Sequence, residues 1–254
     1  MSSRRINLIK GVFLEYLEKI MPSYFDLLLP LKQWKILSLR ELKEEAKYTG
    51  SFSGFYKIIS KLEKNMLLDS FINSWSNEKF LYLLPDGIKA LGGNEKSLHI
   101  NRDLRFHDSL VSKVARMIKE FSFVKDVYMD FQAREVFPLL ERVPDCVASG
   151  FLKKEFVMAI EVELTQKSQD RVKEIFKTYS ASKVVNNVLY ITDKKSIFNS
   201  YRMFLDELGG EICKEKFLLM FGEDLRKMKS DLKLAPIYFK DKLTNLSEVF
   251  KGYL

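Results

Sequence analysis

The stretch that most constrains this chain is EFVMAIEVELT, residues 155–165. Its apolar and β-branched lead-in reads as a buried strand, yet it ends on two carboxylates, Glu161 and Glu163. In a strand, residues i and i+2 share a face, so both carboxylates are expected to point the same way. The surroundings fit a sheet. VKDVYMDFQ (124–132) and VPDCVAS (143–149) are strand-like, with Gly150 and the pair Lys153–Lys154 marking the turn into the next run. Leu104 to Phe121 reads as a helix, as does Gln166 to about Ser182, and NNVLYIT (186–192) reads as a fourth strand. The resulting order is αβββαβ. It is extended by a helix at Lys194–Glu207, a strand at Lys216–Phe221 and another at Ala235–Phe239. The class expected is α+β.

The carboxylates set the chemistry. If the neighbouring strand brings Asp145 alongside Glu161 and Glu163, three acids converge, and like-charge repulsion is too costly to leave uncompensated. A hard divalent cation, Mg²⁺ or Mn²⁺, would compensate it and activate water for phosphodiester attack. Lys167 would steady that water or a phosphate. The competing reading is a solvated strand face, for which two Glu separated by one residue are common. His107–Asp108 opens a helix and reads as a capping pair. Cys146 reads as a core thiol.

The N-terminal part has its own order. Residues 6–20 and Tyr24 to about Leu29 read as helices. Ser38 with Glu41 three residues on is a capping-box pattern, starting a short helix. Gly50, Ser51 and Ser53 mark a turn. SGFYKIISKLEKNMLL then reads as a longer helix with Phe55, Ile58, Ile59 and Leu62 inward. FINSW and KFLYLL, around Ser76–Asn77–Glu78, read as a hairpin, and PDGIKALGG as a closing helix. Helix, turn, helix, hairpin, helix is the order of a winged helix-turn-helix. The outward face of the longer helix holds Ser53, Tyr56, Lys57, Ser60, Lys61 and Lys64, a set suited to the major groove, and Lys79 with Trp75 and Asn77 would form the wing tip. Few arginines lie here, so strong base readout is not expected. A winged helix that contacts only protein is the alternative.

The net charge of +8 and a pI near 9.2 favour polyanionic partners, and no single tail holds the charge. The two cysteines, Cys146 and Cys213, are expected to be reduced, and with only two histidines a Cys/His zinc site is not expected. Charged residues and prolines interrupt the apolar stretch 12–31, so no membrane span is expected, and the first residues lack a signal-peptide pattern. A cytoplasmic setting follows as the expectation.

Pro144–Asp145 together with Glu161–Val162–Glu163 resembles the PD-(D/E)XK nuclease superfamily. Asp145 matches the motif Asp and Glu161 the acidic member; Glu163 stands where that family usually has Lys. HDSLV (107–111), the PD at 144–145 and AIEVELTQKS with Tyr179 resemble the replication-relaxation proteins of plasmids and integrated elements. The resemblance implies a winged helix over residues 1–95 and a restriction-nuclease-like domain over 103–254, joined at 93–103. It also implies a protein that binds double-stranded DNA in the replication, mobilisation or maintenance of a mobile element. Metal-dependent nicking at Asp145, Glu161, Glu163 and Lys167 stays open. So does a transcription regulator, or an accessory subunit of a DNA-processing complex with an inactive nuclease fold, with other proteins or a second copy of the chain as partners.

Overall fold

The computed structural model describes residues 23–93, 98, 100–210 and 215–251. The helix expected at 6–20 and Cys213 lie outside them. The chain forms two compact units divided between Ser112 and Lys113, beyond the 93–103 stretch expected as linker. Its class is α+β.

Unit 1 begins with two short helices, α1 (Ser23–Asp26) and α2 (Leu29–Trp34), then β1 (Ile36–Ser38) and α3 (Leu39–Glu45). The capping box forms as expected: the Ser38 hydroxyl accepts from the Glu41 N–H at 3.3 Å, and the Glu41 carboxylate accepts from the Ser38 N–H at 2.9 Å. The longer helix, α4 (Phe52–Lys64), is capped by Ser51, whose hydroxyl accepts from the Gly54 N–H at 3.1 Å. Phe55, Ile59 and Leu62 are fully buried, an i, i+4, i+7 stripe. Ile58, expected inward, is only half-buried, because it sits at the edge of that stripe. The helix also ends earlier than NMLL. Asn65 caps it through its side-chain amide on the Lys61 carbonyl, and Met66 takes a φ of +56°.

Leu68 therefore starts a strand, β2 (Leu68–Ile72), which runs antiparallel to β3 (Lys79–Leu83) with Phe71 opposite Phe80. β1, which periodicity missed at three residues long, pairs with the other edge of β3, giving the order β1-β3-β2. α5 (Pro85–Ala90) closes the region with Pro at its start and Gly92 at φ +64° after its end. Gly87 is obligatory there, since a Cβ would meet the Leu67 carbonyl oxygen at 2.2 Å.

α6 (Arg105–Lys119) leads to unit 2, a seven-stranded sheet. Its strands are β4 (Val124–Met129), β5 (Cys146–Phe151), β6 (Glu155–Glu163), β7 (Asn187–Thr192), β8 (Phe217–Phe221), β9 (Ile237–Phe239) and β10 (Lys242–Thr244), in the order β10-β9-β8-β7-β6-β5-β4. β4, β5 and β6 form an antiparallel meander; β6, β7 and β8 run parallel; β9 and β10 return antiparallel. α7 (Asp130–Val136) follows β4, α8 (Gln169–Ala181) joins β6 to β7, and α9 (Lys195–Leu208) joins β7 towards β8. A parallel pair needs such a crossover.

Two expectations are corrected here. Asp130–Gln132 turn into helix rather than prolong the strand, with the Gln132 side chain accepting from the Met129 N–H at 2.9 Å. Gly150 lies within β5, not in the turn: its missing side chain lets the Phe123 carbonyl approach where a Cβ would be 2.0 Å away. The turn itself is at 152–154, closed by the Leu152 N–H to the Lys154 carbonyl. Aromatic residues dominate the core beneath the crossovers, where Phe176, Tyr179, Tyr190, Tyr201 and Phe217 cluster, with ring separations of 4.8–6.3 Å around Phe176 and Tyr190. Among the described residues no helix is long and apolar enough to cross a membrane.

Candidate functional site

β6 carries its two glutamates into the interior rather than onto a wet face, with Glu161 5% and Glu163 4% exposed. β6 is covered on both faces here, so a solvated strand face is ruled out. Burying two carboxylates requires partners, and the chain supplies them. Glu161 accepts from Arg142 Nε at 3.0 Å and from the Tyr179 hydroxyl at 2.5 Å through the same oxygen. Glu163 pairs with Lys167, four residues on, and lies at 3.5 Å from the Thr165 hydroxyl. Asp145, immediately before β5, accepts from the Val162 N–H at 2.7 Å and so ties the meander together between the two glutamates.

Asp145 is thus brought beside Glu161, as expected. Burial, followed by repulsion from Asp145, raises the Glu161 carboxyl above its usual range; Arg142 and the Tyr179 hydroxyl counteract that rise. Burial and then the negative Glu161 push the Tyr179 hydroxyl up as well. Tyr190 stands opposite Glu161 on β7, and its buried hydroxyl has no hydrogen-bond partner among the described residues. Beyond β7, Asp193 pairs with Arg226, whose guanidinium also donates to the Leu164 carbonyl at 2.9 Å.

Sequence reasoning missed Arg142 as Glu161's partner. It precedes the PD pair by two residues, but nothing in a loop sequence says that its side chain turns back to a strand 19 residues on. Tyr179 was visible only as the last residue of the family resemblance. Cys146 is a fully buried free thiol, as expected of a core residue. Asp108 forms an ion pair with Lys35 at 2.9 Å, within unit 1, rather than capping a helix end.

These partners decide how well the expected divalent ion fits. Each of the three acids already has an internal donor: a guanidinium, an ammonium or a backbone N–H. Among the described residues no group of three or more Asp, Glu, His or Cys side chains is arranged to hold a metal ion. The residues as placed do not fit a resident Mg²⁺ or Mn²⁺.

In unit 1, α4 presents Ser53, Tyr56, Lys57 and Lys64 to solvent, with Ser60 and Lys61 half-exposed. Lys57 and Lys64 pair with no carboxylate among the described residues, whereas Lys61 lies over the Tyr24 ring at 5.8 Å. Lys79 is the first residue of β3 and pairs with Ile72 in the last rung beside the hairpin turn. It holds Glu63 at 2.7 Å and lies 5.5 Å from the centre of the Tyr56 ring. Trp75 and Asn77 are exposed in the hairpin turn, as is Ser74. The expected surface therefore divides into an open part, Ser53, Lys57 and Lys64, and a part braced by Glu63.

No family model matches the chain, and neither a curated protein nor a solved structure matches it.

Proposed function

We propose that this chain binds double-stranded DNA through a winged helix in unit 1 and carries a restriction-nuclease-like domain in unit 2. It would act, as its resemblance to replication-relaxation proteins implies, in the replication, mobilisation or maintenance of a mobile element. The observation that carries the reading is the exposed row Ser53, Lys57 and Lys64 on α4, a thirteen-residue helix set beside a hairpin. Hydroxyls and unpaired lysines on one helix face suit phosphate contacts in a major groove, and the net charge of +8 assists approach to a polyanion. The meander β4-β5-β6, the crossover α8 and the parallel β7 support the nuclease-like half.

The test is a salt titration of duplex binding. The logarithm of affinity should fall linearly with the logarithm of salt. Lys57→Glu with Lys64→Glu should reduce that slope by about one unit for each phosphate the variant no longer neutralises. Unchanged affinity and slope in the double variant would overturn the reading.

Within it, the internal pairing of Glu161 and Glu163 favours an accessory role for unit 2 over cleavage. Nicking with Mg²⁺ or Mn²⁺ would require Arg142 to leave Glu161 and Lys167 to leave Glu163. Calorimetric titration with Mn²⁺, with and without duplex, combined with incubation of supercoiled plasmid, separates the two: binding together with nicking supports the enzyme, and neither supports the accessory subunit.

A further inference from the structure

Unit 2 contains an open pocket of about 460 Å³ that the DNA-binding reading does not use. Three arginines from three segments line it: Arg134 from α7, Arg142 from the loop before β5 and Arg171 from the first turn of α8. They differ in what they are already doing. Arg142 is held from behind, its Nε on Glu161, in a network with Tyr179. Arg134 and Arg171 are exposed and form no ion pair with any described residue. Like charges sharing one concavity repel, and guanidinium groups present forks of donors matched to phosphoryl oxygens. An anion between them would relieve that repulsion.

The remaining walls narrow the choice of anion. Val143, half-buried, and the small exposed edge of Ile175 give a narrow apolar strip in an otherwise polar lining. Thr178 adds a hydroxyl, and Glu174 adds a carboxylate that accepts from an amino or sugar hydroxyl group. Glu141, also on the wall, is already satisfied: its own backbone N–H first, then the Ser182 hydroxyl and the charge of Lys216, hold its carboxyl below the usual range. Inorganic phosphate alone would leave most of this volume unused, since pockets of some 300–1,000 Å³ suit whole small ligands.

We propose that this pocket binds a nucleoside phosphate, with the phosphoryl group between Arg134 and Arg171, Arg142 as the fixed third donor, and the base against Val143 and Ile175. The same chemistry is offered by a free mononucleotide and by the 5′-phosphorylated end of a DNA strand. The proposal is independent of the α4 surface, which lies in the other unit.

The experiment uses the full chain and four probes: deoxyadenosine 5′-monophosphate, deoxyadenosine, and one short oligonucleotide in its 5′-phosphorylated and 5′-hydroxyl forms. Calorimetry should show a phosphorylated probe binding at least about tenfold more tightly than its unphosphorylated counterpart, as expected of charge-assisted, forked donors. Arg134→Gln with Arg171→Gln, both at exposed positions, should remove that preference, whereas Lys57→Glu with Lys64→Glu should leave it unchanged. Binding of the mononucleotide identifies a free ligand; preference confined to the oligonucleotide identifies a strand end. Equal affinity with and without the phosphate, or a double arginine variant that keeps the preference, overturns the site. Loss of the preference in the lysine variant instead would also overturn it, by moving the phosphate-binding surface to unit 1.

Discussion

The helix α4 in unit 1 and the strand β6 in unit 2 both carry like charges at regular spacing, yet the fold treats them in opposite ways. On α4 the lysines at 57, 61 and 64 stay at or near solvent, where water screens them and they cost little. On β6 the glutamates at 161 and 163 are taken into the interior, where each needs its own counter-charge. The same sequence signal, charge at a fixed period, therefore marks a surface available to a partner in one unit and an internally sealed network in the other.

The sharpest break of that contrast is Arg142→Met. It leaves Glu161 buried without its cation and should cost unit 2 about 3 kcal/mol, the lower end for breaking such a pair because Arg142 itself is partly exposed. Urea unfolding measures it, and Glu161→Gln on the same background should recover part of the loss. A loss under about 1 kcal/mol would mean that Glu161 behaves like a surface charge after all.

Next in size is the interior of unit 1. Leu62→Ala should cost about 2–5 kcal/mol, and Ile58→Ala, at a half-buried site, only about 1 kcal/mol. Equal losses at the two positions would show that the buried stripe of α4 is misplaced.

A weaker effect comes from pH, and its sign differs between the units. Glu161 is raised above its usual 4.5 by burial, so its contribution to stability is full below that value and is lost as pH rises through its folded pKa. For Asp108, burial is outweighed by a hydrogen bond from His107 and by Lys35, which lower it below its usual 3.8. Its contribution is present above that value and is lost as pH falls through its folded pKa. Melting curves from about pH 3 to about pH 8 should show Glu161→Gln flattening the first trend and Asp108→Asn the second.

The smallest expected change in stability is at the exposed lysines. Lys57→Glu should shift unfolding by no more than about 0.5 kcal/mol while still weakening duplex binding. A large loss of stability there would show that Lys57 has a structural partner and would remove it from the proposed DNA-binding surface.

Much of this was legible in the chain. The capping box at Ser38 and Glu41, the apolar stripe of α4 and the hairpin are local patterns, set by hydrogen-bond reach over three residues or by side-chain period, whereas the expected αβββαβ order is interrupted by α7 between β4 and β5. The misses have equally local causes. β1 is too short to show a period, and Met66 ends a helix whose apolar pattern continues. Gly150 reads as a turn residue because its real reason, the approach of the Phe123 carbonyl, comes from outside its own strand.

By itself, then, the sequence determined which segments become helix or strand and which residues carry charge, because those properties depend on neighbours a few positions away. It also placed Glu161 and Glu163 on one face and Asp145 beside the neighbouring strand. Only the tertiary structure decided what those acids meet. Arg142 reaches Glu161 from 19 residues away and Tyr179 from 18, and Lys79 is drawn to Glu63 across 16. Whether a charge is open to a ligand or spent inside the protein depends on such long-range pairings and on the water they exclude, and neither has a period that a sequence can display.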